Sequence, residues 1–390
     1  MENKTACSKS WTDVNIDFKK RKIGHCCVSK YNKFPEQYTI DFFDNNEFIQ
    51  QRRQDTLLGI QHSDCSTCWH NINNGNASFK KWWNKWKKFD DIKADVPQVN
   101  YVEIDLDNTC DLSCLYCAAE TSSKIAQEEG VVIQDNTRDY DIEMFKLWFK
   151  KLVENTKNRI SLNFSGGEPT ASKYFYDILD FIQTLDTTKI SIDVITNGNS
   201  KPHLFNKFIK SIDSIDCRWT ITISNESFGQ DSELIRYGLD WNRFEQNVIA
   251  YAQHPKIKHI NIGITINNLA LPTLHEYISW VYNTLAETKT NFTFCGNFVY
   301  GPDEMDVSIL PEQHKTYVDK AIQVCKESSN IHKSSDNREF LDFLNDLKDR
   351  VGTDYKEDYL EIIEQFLHEK QRVKKTNRLM NLLEEFKNND

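Results

Sequence analysis

Cys110, Cys114 and Cys117 lie in the run Cys110-Asp111-Leu112-Ser113-Cys114-Leu115-Tyr116-Cys117. This C-x3-C-x2-C triplet follows Val102-Glu103-Ile104-Asp105-Leu106, an alternating stretch of strand type. Three thiolates this close can hold three irons of a [4Fe–4S] cube. Ordinary iron–sulfur proteins supply four cysteines per cluster, so here the fourth iron is left for a small molecule. The competing reading is a helix. Offsets of 0, +4 and +7 share one helical face, and three buried, inert thiols would give the same pattern. Asn108, Thr109 and Asp111 favour a loop that opens after a strand.

A second feature lies downstream, where Ile160–Phe164 runs into Ser165-Gly166-Gly167-Glu168-Pro169. Paired glycines let a backbone approach a ligand closely, and a neighbouring carboxylate accepts from an ammonium group. Other candidates close later strands. Thr196, Asn197 and Gly198 end the third. Ser224, Asn225 and Glu226 end the fourth, with Arg236 beyond. Asn267 and Asn268 end the fifth, where a turn or cap is the competing role.

The elements that must position these residues are legible as alternating patterns. Strands are expected at Val99–Leu106, Ile160–Phe164, Lys189–Ile195, Arg218–Ser224, Ile257–Ile266 and Asn291–Val299. Helices are expected at Asp141–Glu154, Tyr174–Leu185, Lys201–Ile212, Trp241–Gln253 and Leu271–Leu285. In the first helix Met144, Leu147, Trp148, Lys151 and Leu152 recur at helical spacing. Six βα units in register predict an α/β fold, a parallel sheet curled into a partial barrel with its chemistry at the strand C-terminal ends. The charged, short-period stretch from Pro311 to Asp390 predicts amphipathic helices.

With the cysteine triplet, the Gly-Gly-Glu-Pro turn and the βα alternation together, the chain resembles the radical S-adenosylmethionine (SAM) enzymes. The resemblance implies a (β/α)6 partial barrel. It implies a catalytic [4Fe–4S] cluster on Cys110, Cys114 and Cys117, with SAM chelating the open iron. Gly166, Gly167, Glu168 and Pro169 would hold the SAM amino group, and Tyr116 would lie near the adenine. Thr196, Asn197, Ser224 and Arg236 would line the same mouth; Arg236 as a mere surface ion pair is the competing reading. Asn225 departs from the usual aspartate at its position. The implied reaction is reductive cleavage of SAM to methionine and a 5′-deoxyadenosyl radical, which takes hydrogen from a substrate. A flavodoxin or ferredoxin is the implied electron donor. Relatives of this type act on peptides, sugars, cofactor precursors and nucleotides. A peptide or protein side chain is the substrate favoured by analogy, and a nucleotide or nucleic acid is the alternative.

The N-terminal portion carries Cys7, the adjacent pair Cys26 and Cys27, and the knuckle Cys65-Ser66-Thr67-Cys68. Spacing alone allows zinc or iron–sulfur. The resemblance extends to an N-terminal twitch module, a trimmed relative of the SPASM auxiliary-cluster domain. On that pattern Trp11, Phe48 and Arg52 or Arg53 accompany the cysteines, and Cys7, one of Cys26 and Cys27, Cys65 and Cys68 hold an auxiliary [4Fe–4S] cluster. The expected organisation is an auxiliary-cluster module over 1–80, a linker over 81–98, a core over 99–305 and a helical extension over 306–390. In the linker region, Lys80-Lys81-Trp82-Trp83-Asn84-Lys85-Trp86-Lys87-Lys88-Phe89 reads as a helix burying its aromatics or as a single-strand nucleic-acid surface. Cys217, Cys295 and Cys325 read as core residues.

Composition narrows the classes. A net charge of −10 over 390 residues argues against a generally basic nucleic-acid binder. No window approaches the ~18 apolar residues of a membrane span, and the first residues lack a signal-type apolar core. Eleven cysteines without an export signal point to metal ligation in a reducing cytoplasm. The remaining alternative is a non-enzymatic interaction protein that binds zinc or iron–sulfur.

Overall fold

The computed structural model describes residues 7–27, 29, 32–73, 98–134, 136–286, 288, 290–331, 338–370 and 377–388. The Lys80–Phe89 stretch lies outside the described residues. Eleven strands are present among those described: β1 (Asp13–Asp17), β2 (Lys22–Gly24), β3 (Asn32–Lys33), β4 (Tyr101–Asp105), β5 (Ser113–Cys114), β6 (Ile160–Ser165), β7 (Ile190–Thr196), β8 (Arg218–Ser224), β9 (Arg236–Tyr237), β10 (Ile257–Ile266) and β11 (Asn291–Phe298). The six strands expected from the sequence are β4, β6, β7, β8, β10 and β11, and each begins and ends within two residues of expectation. Helices alternate with them as the α/β reading requires.

Two compact units make up the chain. The first comprises Met1–Asn108, Gln134–Asp193 and Ser211–Arg218, and its strands run in the order β7-β6-β4-β1-β2-β3. β1 pairs parallel with β4, and β4 with β6, while β1-β2-β3 is antiparallel. This N-terminal addition to the sheet was not expected. The register sets Asn15 beside Glu103 and Glu103 beside Asn163, and it sets Ile16 beside Ile104 and Ile104 beside Phe164. Alternate residues face opposite sides of a sheet, so one face is polar and the other apolar. On the polar face the Asn15 amide donates to Glu103 at 2.6 Å and the Asn163 amide to Asp193 at 3.1 Å. Burial pushes the Glu103 carboxyl above its ordinary range.

Helices close the apolar face. Helix Asp139–Asn155 buries Ile142, Phe145, Trp148, Phe149 and Val153. Phe145 meets Phe18 edge-on at 5.8 Å, and Trp148 stacks on Phe43 at 5.2 Å. The buried stripe therefore lies beside the expected one, and Leu147 is 56% exposed. Phe175 of helix Lys173–Ile182 packs edge-on against Phe164 at 5.0 Å. Such pairs add to plain area burial.

The second unit comprises Thr109–Ile133, Val194–Lys210 and Trp219–Asp390, with the order β11-β10-β8-β7. β7 is divided, with residues 190–193 in the first unit and 194–196 in the second. β8, β10 and β11 are mutually parallel, so Ser224, Ile266 and Phe298 all end at one edge. The expected C-terminal helices are Lys315–Ile331, Arg338–Arg350, Tyr359–Glu369 and Asn377–Asn388. They carry packing: Phe340 stacks on Phe294 at 4.7 Å, and Phe343 meets Phe298 at 5.0 Å. Cys325 is buried as expected, Cys217 is half-buried, and Cys295 is exposed on β11, contrary to the core reading. Its neighbours Phe294 and Phe292 take the apolar face, and strand alternation turns Cys295 the other way. Among the described residues no helix is long and apolar enough to cross a membrane.

Candidate functional site

The three core cysteines do not share a helix. Cys110 lies in a loop, Cys114 in β5, and Cys117 just after a turn. β5 pairs antiparallel with β9, which sets Cys114 opposite Arg236 and Ser113 opposite Tyr237. Leu112 and Leu115 are buried and anchor the loop from within, and the Leu115 N–H donates to Ile235 O at 2.9 Å. The Cys110 N–H donates to Ser123 Oγ at 3.1 Å, and the Cys117 N–H to Cys114 O at 3.1 Å. Ser122 closes the loop: its hydroxyl donates to Leu112 O at 2.6 Å and caps helix Ser123–Glu129 by accepting from the Ile125 N–H.

The thiols sense one another. Interaction with the Cys117 thiol, together with burial, holds Cys114 well above the ordinary thiol range. Its interaction with Cys114, aided by Arg236, brings Cys117 down to about 7 against the effect of burial. Metal binding requires thiolates, and the lowered Cys117 is the member of the pair that ionises most readily.

Around Tyr116 lies a buried polar network. The Tyr116 hydroxyl donates to both Glu226 oxygens, at 3.1 and 3.2 Å. Arg236 donates to Glu226 Oε2 from Nε at 3.0 Å and from Nη2 at 2.6 Å. The Arg236 guanidinium also sits 5.6 Å from the centre of the Tyr116 ring. Glu226 is wholly buried and Arg236 is 5% exposed, so Arg236 is not a surface ion-pair residue. Burial raises the Glu226 carboxyl, with the guanidinium and phenol opposing it. In the sequence Glu226 is marked only as part of the Ser224-Asn225-Glu226 strand end, with no role of its own. Its partners lie 110 residues before it and 10 after, and only its place just past β8 hinted at a role.

The other strand-end residues brace this region. Asn197 donates to Asp111 Oδ1 at 3.0 Å, tying the end of β7 to the cysteine loop. Thr196 Oγ1 accepts from the Gly198 N–H at 3.2 Å. Asn225 is spent internally: its amide donates to Ser227 O at 2.7 Å, and its carbonyl accepts from Ser232. Ser224 ends β8 half-buried. Asn267 and Asn268 are buried, and Asn268 donates to Glu304 O at 2.7 Å.

The Gly-Gly-Glu-Pro turn belongs to the first unit. Gly166 has φ +122°, and a side chain there would fall 2.8 Å from Asp105 Oδ1 and 3.0 Å from Asp107 O. The Gly167 N–H donates to Asp107 O at 3.0 Å, and the Ser172 hydroxyl donates to Asp107 Oδ2 at 2.6 Å. Glu168 is 2% exposed, and its Oε1 accepts from the Thr170 N–H and hydroxyl at 3.2 and 2.7 Å. It caps the turn Pro169–Ala171. Gly166→Ala is expected to destabilise the chain by about 1–3 kcal/mol, from strain at a conformation natural only to glycine. Urea unfolding of the variant measures this, and an unchanged midpoint would refute the strain argument.

The N-terminal cysteines form a separate group within the first unit. Cys7, Cys26, Cys65 and Cys68 line one cavity with His25 and Arg52. Cys27 does not line it; Cys27 is exposed, with Glu103 and Cys26 as charged neighbours. Burial pushes the Cys7 thiol up to about 12 and raises Cys65, whose rise the Arg52 guanidinium opposes. Trp11 is fully buried, Arg52 lies 5.4 Å from the Phe48 ring, and Arg53 donates to Ser10 O at 2.8 Å. None of the cysteines is in a disulfide. Among the described residues, no three His, Cys, Asp or Glu side chains are drawn together as a ready single-ion site. The donor chemistry at both places is nonetheless that of soft, thiolate-bound metal.

No protein-family profile and no curated protein sequence matches the chain. Among solved structures it is similar to SuiB of Streptococcus suis. Against SuiB bound to the precursor peptide SuiA, the identity is 15% and the TM-score 0.41, covering 61% of this chain and 48% of that one. Against SuiB bound to S-adenosylmethionine, the identity is 15% and the TM-score 0.43, covering 76% and 61%. The chain spans less than two thirds of SuiB in either comparison.

Proposed function

We propose that this chain is a radical SAM enzyme with a second, N-terminal iron–sulfur centre. The observation that carries the reading is the C-x3-C-x2-C loop, held out of helical conformation by β5–β9 pairing and backed by the Tyr116–Glu226–Arg236 network. Cys110, Cys114 and Cys117 are the residues that would hold the catalytic cluster. When bound and reduced, that cluster supplies the electron that splits SAM and so generates a hydrogen-abstracting radical. The protein's part is placement. Glu226 fixes the Tyr116 ring beside the loop, and Arg236 offsets the buried carboxylate. Asn197 holds the loop through Asp111. Gly166 and Gly167, in the first unit, are the residues that the resemblance assigns to the SAM amino group. The substrate is read as a peptide or protein side chain on the resemblance alone, with a flavodoxin or ferredoxin as electron donor.

The test is anaerobic reconstitution, dithionite reduction and measurement of 5′-deoxyadenosine released from SAM, with peptide, nucleic-acid and small-metabolite pools supplied separately. Release above the no-pool rate with peptides alone supports the full reading. Release stimulated only by nucleic acid overturns the substrate class, and no release from iron-replete protein overturns the activity.

For the N-terminal centre we assign Cys26 rather than Cys27 as the ligand, because only Cys26 lines the cavity with the other three. Cys26→Ser is expected to lose the iron of that centre, while Cys27→Ser keeps it. Iron and sulfide analysis decides, and the opposite pattern would reverse the assignment.

A further inference from the structure

Two nitrogen-bearing side chains line the N-terminal cavity beside its cysteines. His25 is 2% exposed and lines the cavity beside the four sulfurs. Its Nδ1 has no hydrogen-bond partner among the described residues. Buried polar groups are almost always partnered, so an orphaned nitrogen on a ring that lines a sulfur-rich cavity calls for a partner there. Arg52 is 1% exposed. Its Nη1 donates to Cys65 Sγ at 2.9 Å, and its Nη2 pairs with Asp64 at 2.5 Å. Asp64 is contacted in turn by His62 Nδ1 at 3.2 Å, while His62 Nε2 reaches Asp55 at 3.2 Å. The carboxylate side fixes the guanidinium, so its second arm is held on the sulfur.

Hydrogen bonds to the sulfurs of an iron–sulfur centre, and positive charge beside it, favour the more negative, reduced form and raise the potential. We propose that Arg52 and His25 are positioning residues that raise the reduction potential of the N-terminal centre: Arg52 through its bond to the Cys65 sulfur, His25 through its unpartnered ring nitrogen. This rests on the reading of that centre as iron–sulfur. On reduction the centre takes one electron from the external donor and gains one negative charge. No bond is made or broken.

The test uses the full chain with Cys110, Cys114 and Cys117 all changed to serine, so that any remaining cluster iron belongs to the N-terminal centre. After anaerobic reconstitution, iron and sulfide are measured and the centre is titrated with dithionite under paramagnetic-resonance detection. Arg52→Met, Arg52→Lys and His25→Leu are then added singly. Arg52→Lys keeps a charge opposite Asp64 without the planar fork and guards against a folding failure in Arg52→Met. The midpoint potential is expected to fall in all three, least in Arg52→Lys. A nitrogen hyperfine coupling in pulsed spectra is expected to vanish in His25→Leu. Retained iron with unmoved potentials would overturn the proposal. Absent iron, or zinc in its place, would instead overturn the reading of the centre on which it rests.

Discussion

Cys114→Ala is expected to bring 5′-deoxyadenosine release down by about 10⁴-fold or more, the scale on which a group acting within an all-or-none unit is lost. Iron should fall by about four per chain, because two remaining thiols cannot hold the cube. Cys114 is the right member of the triplet to change. It is 5% exposed, and its backbone is paired through β5 to β9. That pairing uses main-chain groups, so alanine keeps the loop in place. Deleting one buried sulfur is a small change, of about 1 kcal/mol. Circular dichroism and urea midpoint should therefore stay near those of the parent while iron and product are lost. A variant that keeps its full iron and still releases 5′-deoxyadenosine would end the radical SAM reading. One that merely unfolds would show in the same dichroism.

Arg236→Met is expected to destabilise the protein by about 3–5 kcal/mol, the usual consequence of removing one partner from a buried ion pair. Glu226 is wholly buried and would then face only the Tyr116 hydroxyl. Glu226→Gln should be milder, since an amide can still accept from both neighbours. Adding Glu226→Gln to Arg236→Met should recover part of the loss, because no uncompensated charge is left. Urea unfolding of the two single variants and the double closes the cycle. Simple additivity, or an Arg236→Met variant as stable as the parent, would mean that the pair is not coupled as its 2.6 Å contact indicates.

Strands such as Arg218–Ser224 and Ile257–Ile266 were legible residue for residue, because Trp219, Ile221 and Ile223, and Ile260 through Ile266, recur at alternate positions. β1 was missed. Its pattern rests on Val14 and Ile16 alone, and its place in the sheet is set by β4, far along the chain. Helix Asp139–Asn155 was found, but its buried stripe was misplaced because Leu147 and Trp148 fit two overlapping periodic sets. At the site, the cysteine spacing announced itself. The choice between Cys26 and Cys27 did not, for adjacent side chains point apart and only the tertiary cavity selects one. The Glu226 contacts to Tyr116 and Arg236, and the Arg52 contact to Cys65, are likewise products of folding that no local pattern encodes.

The parallel pairing of β1 with β4 bears on how the chain is made. Asn15 meets Glu103 across 88 residues of sequence. On the ribosome β1 must wait for β4 to be synthesised, roughly 5–20 s at ordinary elongation rates. During that interval Val14 and Ile16 lack their sheet neighbour, and Cys7 and Cys26 are held by local structure alone. The N-terminal cavity thus reaches its finished form only once β4 is available. On the proposed reading of that cavity as a metal centre, its loading would follow the synthesis of β4, and slow translation before Tyr101 would prolong the window in which its thiols are open to oxidation.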